Sequence, residues 1–136
     1  FLREVDLTVT GLDAPSTRLW VERDESGRIV GSTGYELSGD GTHALIRSVA
    51  VAAASRTRGR GREMAGFALE RAADEGATTA WLFSRRSGGF WQSLGFVAAD
   101  LSELARVLAD THQVRAFVAT GQITREVAWT RVLGGV

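Results

Sequence analysis

The stretch Ile46-Arg-Ser-Val-Ala-Val-Ala-Ala-Ala-Ser-Arg-Thr-Arg-Gly-Arg-Gly-Arg-Glu-Met64 joins a β-branched run to a helical pattern through a loop rich in arginine and glycine. It predicts a strand, an anion-binding loop and a helix in direct succession. Glycine lets the backbone approach a ligand closely, and the first N–H groups of a helix have no partner within the helix. These groups carry the positive end of the helix dipole, so a phosphate or pyrophosphate suits this corner.

The composition restricts the class of protein. The 136 residues, of which 44% are apolar, suffice for one domain with its own core. With 16 basic and 16 acidic residues the net charge is zero, so no overall field attracts nucleic acid or a membrane surface. The absence of cysteine excludes disulfides, a cysteine-ligated metal site and a cysteine nucleophile, and no metal site is predicted. No apolar run approaches the length of a membrane span, and a cytoplasmic location is expected.

Three strands are predicted upstream of the loop. Thr17–Arg23 and Arg28–Leu37 flank a turn, and a second turn over Ser38–Gly41 leads to a strand from Thr42 to about Val51. Because consecutive strands usually pair, we expect an antiparallel meander. Phe1–Leu7 is compatible with the end of an amphipathic helix.

Downstream of the loop, a helix is predicted from about Arg60 to Glu75. The apolar segment Thr78–Phe83 follows it so closely that we expect a crossover to a strand parallel to the one ending near Val51. The remaining predictions, in chain order, are a polar joint over Ser84–Gly89, a short helix within Phe90–Phe96, a strand over Phe96–Ala98, a helix over Leu101–Asp110, an undefined stretch to Gly121 and a strand over Arg125–Leu133.

Two motifs carry a resemblance to a known family. Arg56-x-x-Gly59-x-Gly61 resembles the acyl-coenzyme A signature of the GNAT N-acetyltransferases, Gln/Arg-x-x-Gly-x-Gly/Ala, and Phe90-Trp-Gln-Ser-Leu-Gly-Phe96 resembles the aromatic-rich segment near the end of their domains. The Walker and dinucleotide-binding patterns are not met. The resemblance implies a single-domain α/β GNAT fold over residues 1–136, with a mixed, mostly antiparallel central sheet and helices on both faces. The family's first strand would then precede Phe1, so the domain is expected to be incomplete at its N-terminus.

The resemblance also implies acetyl-CoA as the cofactor. The strand that ends at Val51 would bind the pantetheine arm, the loop amides would bind the pyrophosphate, and a main-chain N–H near Val49, after a splay of the strand at Ser48, would stabilise the oxyanion. The alternative is a basic, solvated loop or a nonspecific nucleic-acid contact. The implied cofactor-binding residues are Val49, Ala50, Val51, Arg56, Thr57, Arg58, Gly59, Arg60, Gly61, Arg62, Phe90 and Trp91.

Trp91 departs from the family pattern. It stands where the family often carries the tyrosine that protonates the leaving thiolate, and indole cannot act as an acid. Either the thiolate leaves unprotonated, or a water or Tyr35, the only tyrosine in the chain, supplies the proton. Trp91 itself is expected to pack against the cofactor or substrate, or within the core.

Arg47 is the first candidate substrate-binding residue, and it stands where many members of the family have a glutamate. An arginine within an interior strand is costly unless paired, so it either pairs with a structural carboxylate or faces an anionic ligand. A bidentate guanidinium fits a carboxylate, phosphinate or arsinate. The other candidate substrate-binding residues are Ser48, Arg85 and Arg86, although the two arginines are equally consistent with a solvent-exposed loop.

Glu36 and His112 are the candidate general bases. Strict alternation places Glu36 on the face opposite Thr33 and Tyr35, but neither face is clearly apolar, so which face is buried stays open. His112 titrates in the right range but could equally serve as a cap. A water chain could replace both, because an α-amine near pKa 8 costs about 1.4 kcal/mol to deprotonate at neutral pH.

Leu45–Val51, Thr111–Phe117 and Arg125–Trp129 resemble the GNAT subgroup associated with arsenic resistance, whose relatives acetylate the amino group of arsinothricin or phosphinothricin. The predicted function is N-acetyl transfer to the primary amine of a small molecule, an amino acid or anionic amino-acid analogue. A catalytically silent acyl-CoA-binding module and a nucleic-acid-binding protein that uses Arg56–Arg62 are the alternatives. We expect as partners the small amine and a second copy of the chain in a homodimer, with no nucleic acid and no membrane.

Overall fold

The computed structural model describes residues 5–8, 17–23, 25–51 and 59–133, without the side chains of residues 5–8, 48–51 and 60. The strands are β1 (Val5–Thr8), β2 (Thr17–Arg23), β3 (Ile29–Leu37), β4 (His43–Val51), β5 (Thr79–Phe83), β6 (Val97–Ala99) and β7 (Ala128–Val132). The helices are α1 (Arg60–Asp74), α2 (Gly88–Ser93), α3 (Leu101–Val107) and α4 (His112–Thr120), followed by a 3-10 turn over Gln122–Arg125.

One seven-stranded sheet organises the chain, in the order β1-β2-β3-β4-β5-β7-β6. The strands from β1 to β4 pair antiparallel as consecutive neighbours. After α1 the chain crosses over to β5, which is parallel to β4, and β7 pairs antiparallel with both β5 and β6. The predicted mixed, mostly antiparallel sheet and its parallel crossover are confirmed.

Three sequence predictions need correction. The helix expected over Phe1–Leu7 is wrong for its last residues, since Val5–Thr8 is a strand whose backbone groups pair with β2. The helix expected to reach Asp110 ends at Val107, and the undefined stretch before Gly121 contains α4. The strand expected before Phe1 stays a prediction.

Helix α1 covers one face of the sheet. Met64, Ala65, Ala68, Leu69 and Ala72, the predicted apolar side, are between 0% and 5% exposed. All but Met64 belong to a core that includes residues of β3 and β4. Alanine at most of these contacts allows the helix to lie close to the strands.

Helices α3 and α4 cover the opposite face. Leu104 of α3, Leu108 directly after it and Val114 of α4 form a second core with residues of β4, β5 and β7. The Asp100 carboxylate accepts from the Ser102 N–H (2.8 Å) at the start of α3, and the Thr111 hydroxyl caps α4. Both faces of the central strands are therefore buried, which answers the question that the alternation of β3 leaves open.

Candidate functional site

Strands β4 and β5 pair only near their starts. The parallel register runs from His43 opposite Thr79 to Leu45 opposite Trp81, although β4 continues to Val51 and β5 to Phe83. β5 remains paired with β7 on its other side as far as Phe83. In the part of the sheet that is described, the second half of β4 has thus lost its β5 partner, so its backbone groups on that side are available to a ligand.

The same half of β4 contains a β-bulge. Gly34 of β3 pairs with Arg47, but Ser32 pairs with Ala50, so β4 has one residue more than β3 between these two pairs. A bulge of this kind bends the strand and redirects its backbone groups. It lies where the family resemblance implies a splay after Ser48, and the predicted role of the Val49 N–H as the oxyanion donor stays a prediction.

The N-terminus of α1, the next described helix after β4, lies beside α2, which follows the end of β5. Gly59 precedes the helix in the left-handed conformation (φ 84°), and its carbonyl accepts from the Glu63 N–H (2.8 Å). Gly59 has no side chain to cap this helix end, and the N–H groups of Arg60, Gly61 and Arg62 precede the first N–H that bonds within the helix, so they suit an anion. The predicted loop residues Arg56, Thr57 and Arg58 lie outside the described residues, as do the side chains of Ser48, Val49, Ala50, Val51 and Arg60.

Helix α2 packs beside the start of α1. A Cβ atom on Gly61 would lie 3.8 Å from the Phe90 ring, in ordinary contact, and Arg62 donates to the Ser93 hydroxyl (3.1 Å) and carbonyl (3.2 Å). Trp91 is only 7% exposed and meets Phe90 edge-on at 5.0 Å between ring centroids. Phe90 thus lies beside the helix start, whereas Trp91 belongs to the core.

Glu36 is the polar centre of the α4 face. Its carboxylate is 0% exposed and accepts three hydrogen bonds, from the Arg47 guanidinium, the His112 N–H (2.5 Å) and the Gln113 N–H (3.1 Å). A carboxylate at a helix N-terminus is stabilised by the helix dipole as well as by these donors. The geometry therefore gives Glu36 a positioning role, and its predicted role as general base gains no support.

Arg47 pairs with this structural carboxylate, which is one of the two roles that the sequence allows. The pair engages Nη1 only, and the Arg47 side chain remains 27% exposed. A guanidinium carries five N–H donors. The ion pair with Glu36 therefore leaves donors of Arg47 for a ligand.

The side chains of His112 and Tyr35, the other two candidate catalytic residues, are not part of the Glu36–Arg47 ion pair. The His112 side chain is exposed at the start of α4, and no hydrogen bond of its imidazole is found in the described part of the chain. Tyr35 faces α1, where its hydroxyl donates to Glu75. Burial, and next this hydrogen bond, raise the pKa of the Tyr35 phenol well above its usual range. Its predicted role as the acid gains no support from this location.

An open cavity of about 420 Å³ lies where β5 ends, and Arg85 and Arg86 both line it. Arg85 Nε is 3.6 Å from Glu126 Oε2, which also accepts from Gln122 Nε2 (2.8 Å). The part of the cavity wall that α4 contributes was not predicted from the sequence. The capping residues of this helix, Thr111 at its start and the left-handed Gly121 at its end, were signals that could have located it. The other residues lining the cavity are Phe83, Ser84, Gln113, Phe117 and Glu126.

Two features are absent from the described residues, a membrane-spanning helix and a metal-binding cluster. No helix there is long and apolar enough to cross a membrane. The same residues contain no group of three or more His, Cys, Asp or Glu side chains arranged to hold a metal ion.

Comparison with known proteins identifies the family. The model of the GNAT acetyltransferase family matches residues 3–96, more than half of the chain. The chain therefore belongs to the GNAT family of acetyltransferases, as the loop and the aromatic segment predict. A search of curated proteins found no significant match.

Solved structures share the fold at low sequence identity. N-acetylglutamate synthase from Neisseria gonorrhoeae, solved with coenzyme A and N-acetyl-glutamate, is similar with a TM-score of 0.70 and 16% identity over 85% of this chain. The protein Rv2747 from Mycobacterium tuberculosis, solved with coenzyme A, gives 0.65 and 20% over 85%. Nourseothricin acetyltransferase gives 0.62 and 19% over 95%. The chain spans 25% of the length of the synthase, and 75% and 83% of the other two.

Family membership confirms the predicted enzyme class, an acyltransferase, and its cofactor, acetyl-CoA. The described residues fit this cofactor. The N-terminus of α1, where Gly59 offers no capping side chain, suits the negative pyrophosphate, and Gly61 has no side chain to stand in front of its amide. The unpaired edge of β4 suits the amide groups of the pantetheine arm.

Proposed function

We propose that this chain transfers an acetyl group to the primary amine of a small anionic amino acid or amino-acid analogue. Acetyl-CoA, when bound, supplies the acetyl group as an activated thioester. The observation that carries the proposal is the arrangement at the ends of β4 and β5: the two strands separate there, the first turn of α1 packs beside α2 after β5, and the cavity with Arg85 and Arg86 opens where β5 ends. A cofactor cleft and a cationic cavity are then adjacent.

The cofactor is assigned to the backbone more than to side chains. The first-turn amides of α1, including those of Gly61 and Arg62, bind the pyrophosphate with the predicted loop Arg56–Arg62. The segment Val49–Val51 holds the pantetheine arm, and Phe90 packs against the cofactor next to Gly61. The main-chain N–H near Val49 is assigned to the developing oxyanion, and the β-bulge between Arg47 and Ala50 supports this assignment.

In this proposal Arg47, Arg85 and Arg86 bind the anionic group of the substrate. Arg85 is half exposed, and its 3.6 Å contact with Glu126 is long enough to be exchanged for a ligand. Arg47 keeps its ion pair with Glu36 while its remaining donors bind the anion. In this arrangement the structural pair and the ligand contact coexist, with Glu36 holding the guanidinium in place. Ser48, next to Arg47, is the further candidate contact.

The amine must lose a proton before it attacks. Of the two predicted bases, Glu36 is occupied by three donors and His112 is exposed, so neither is supported as a strong buried base facing the cleft. An α-amine needs only about 1.4 kcal/mol for deprotonation at neutral pH, against roughly 4 to 5 kcal/mol for a lysine-like amine. The site therefore favours an α-amine, deprotonated through water or by His112.

Acidic amino acids are the first substrates to test. The synthase from Neisseria gonorrhoeae is solved with the acetylated form of such an amino acid, and this supports the proposed class by analogy of fold only. The segments that resemble the arsenic-resistance subgroup favour phosphinothricin and arsinothricin as further members of this substrate class.

The test is thiol release from acetyl-CoA with a panel of L-glutamate, L-phosphinothricin, neutral amino acids and lysine-like amines. We expect turnover with the acidic α-amines, and in Arg47→Ala a KM for them raised about tenfold or more with unchanged acetyl-CoA binding. Tight acetyl-CoA binding without turnover of any amine would identify the silent module instead. Binding of an oligonucleotide that weakens steeply with salt, without acetyl-CoA affinity, would favour the nucleic-acid alternative.

A further inference from the structure

The loop Ser84–Ser87, which contains both arginines of the cavity, is held in place at its first residue. The Ser84 N–H donates to the Val127 carbonyl (2.9 Å), and the Ser84 hydroxyl accepts from the Ser87 N–H (3.0 Å). The Ser84 carbonyl accepts from the indole Nε1–H of Trp129 (3.0 Å). Each polar group of Ser84 therefore helps to fix the start of this loop.

Trp129 reaches the loop from the neighbouring strand β7 and contacts it at both ends. Besides the hydrogen bond to Ser84, its ring fills the space in front of Gly88, where a Cβ atom would lie 2.7 Å from Cζ2 and 3.0 Å from Cη2. We propose that Trp129 is a positioning residue, which fixes the backbone of Arg85 and Arg86 for the anionic group of the substrate. The inference rests on the proposed function and adds a residue that acts on the anion site through its neighbours.

Trp129 can act in this way because its own position is fixed. It lies within β7, where its backbone is opposite Leu82 of β5 and Ala98 of β6. Its ring packs against the core that α1 covers. A residue with a strand on either side and a packed ring does not follow a movement of the loop, so it ties the loop to the sheet.

A fixed loop favours substrate binding in particular. Arg85 and Arg86 have exposed side chains, and each loses rotamer freedom when it binds an anion. A mobile backbone would add to this entropic cost, and the hydrogen bond from Trp129 prevents that addition. The contacts of α2 with the start of α1 come from Phe90 and Ser93 instead, so we expect cofactor binding to be independent of Trp129.

The first test compares Trp129→Phe with Trp81→Phe in assays with acetyl-CoA and the acidic amino acids. Both substitutions remove an indole N–H that donates a 3.0 Å hydrogen bond, but the acceptor of Trp81 is His43, the first residue of β4, away from the loop. We expect Trp129→Phe to raise the KM for the acidic amino acid about fivefold, with kcat and the Kd of coenzyme A changed less than about twofold. Trp81→Phe, the matched control, should keep all three constants.

The second test reaches the same contact from the other side, and it decides the question if Trp129→Phe fails to fold. Gly88→Ala places a methyl group 2.7 Å from the Trp129 ring, too close for both to keep their positions, and should raise the KM as Trp129→Phe does. Gly89→Ala is the control, because a Cβ atom there meets nothing within 4 Å. A phenyl ring lacks the Cζ2 and Cη2 atoms, so adding Gly88→Ala to Trp129→Phe should raise the KM no further.

An unchanged KM in folded Trp129→Phe or in Gly88→Ala would overturn this inference alone, while the wild-type protein acetylates an acidic amino acid. An equal rise in the matched control, or a parallel loss of coenzyme A affinity in Trp129→Phe, would also overturn it, because it would indicate a general loss of structure. Wild-type protein that acetylates neutral amines but no acidic amino acid would overturn the proposed substrate class together with the inference.

Discussion

Tyr35 and Glu36 are neighbours on β3, both are 0% exposed, and each is the centre of a polar cluster on a different face of the sheet. Tyr35 faces α1 and donates to Glu75, which lies next to the last residue of that helix and also contacts Arg18 (3.4 Å). Glu36 faces α4, where it binds Arg47 and two N–H groups of the helix start.

The two clusters differ in what they connect. The Tyr35 cluster joins β2 and β3 to the end of α1, all of them elements of the continuous core. The Glu36 cluster joins β3 to the part of β4 that has left β5, and to Gln113 in the wall of the cavity. The same strand therefore stabilises the core on one face and, on the other, holds Arg47 and the start of α4 beside the cavity.

Replacing Glu36 is expected to have the largest effect on stability. Glu36→Ala leaves Arg47 without its counter-charge and two N–H groups of α4 without their acceptor, and should lower the free energy of unfolding by about 3 kcal/mol. Urea denaturation measures this. Glu36→Gln, which keeps an acceptor oxygen, should lose roughly half as much. A loss below about 1 kcal/mol in Glu36→Ala would contradict the supporting role of this cluster.

Replacing Tyr35 is expected to have a smaller effect, confined to stability. Tyr35→Phe removes one hydrogen bond to the Glu75 carboxylate and should lower the free energy of unfolding by about 1 to 2 kcal/mol. The KM for the amine and the affinity for acetyl-CoA should not change. A KM raised as much as in Arg47→Ala would show that the two faces are not separate in function.

The Tyr35 cluster also predicts a pH dependence. Because burial and the Glu75 hydrogen bond raise the pKa of the folded-state phenol, its contribution to stability is fully present below the unfolded value of about 10 and is lost as the pH rises through the folded pKa. Tyr35 is the only tyrosine, so phenolate absorbance reports this group alone. Titration near pH 10 in the folded protein would contradict the buried, hydrogen-bonded geometry.

The sequence predicted the elements whose signals are local. β2 to β5, α1 and the parallel crossover follow from alternation, helical spacing and the position of glycine, and the Arg-x-x-Gly-x-Gly pattern indicated the family that the family model confirms. Arg85 and Arg86 were predicted as substrate residues because they follow β5 on the polar joint, and they do line a cavity together.

The partners of Glu36 and Gln113 could not be predicted, because both depend on α4 packing against β3 from a position 76 residues further along the chain. The β-bulge of β4 also has no local signal, since it is a property of the β3–β4 pairing. The two options for Arg47 were correctly identified from the cost of burying a charge, but only the fold supplies its carboxylate.

The assignment of the cofactor pyrophosphate to the N-terminus of α1 is tested most directly by coenzyme A binding to two variants of this helix, measured by calorimetry. Gly61→Glu places a carboxylate in the first turn, where a Cβ atom meets only ordinary contact with Phe90, and Gly66→Glu makes the same change further along the helix, where a Cβ atom meets nothing within 4 Å. If the helix start binds the pyrophosphate, Gly61→Glu should weaken binding by more than about tenfold, equivalent to about 1.4 kcal/mol, and Gly66→Glu should leave it nearly unchanged. Equal affinity in both variants would contradict the assignment of the cofactor to the N-terminus of α1.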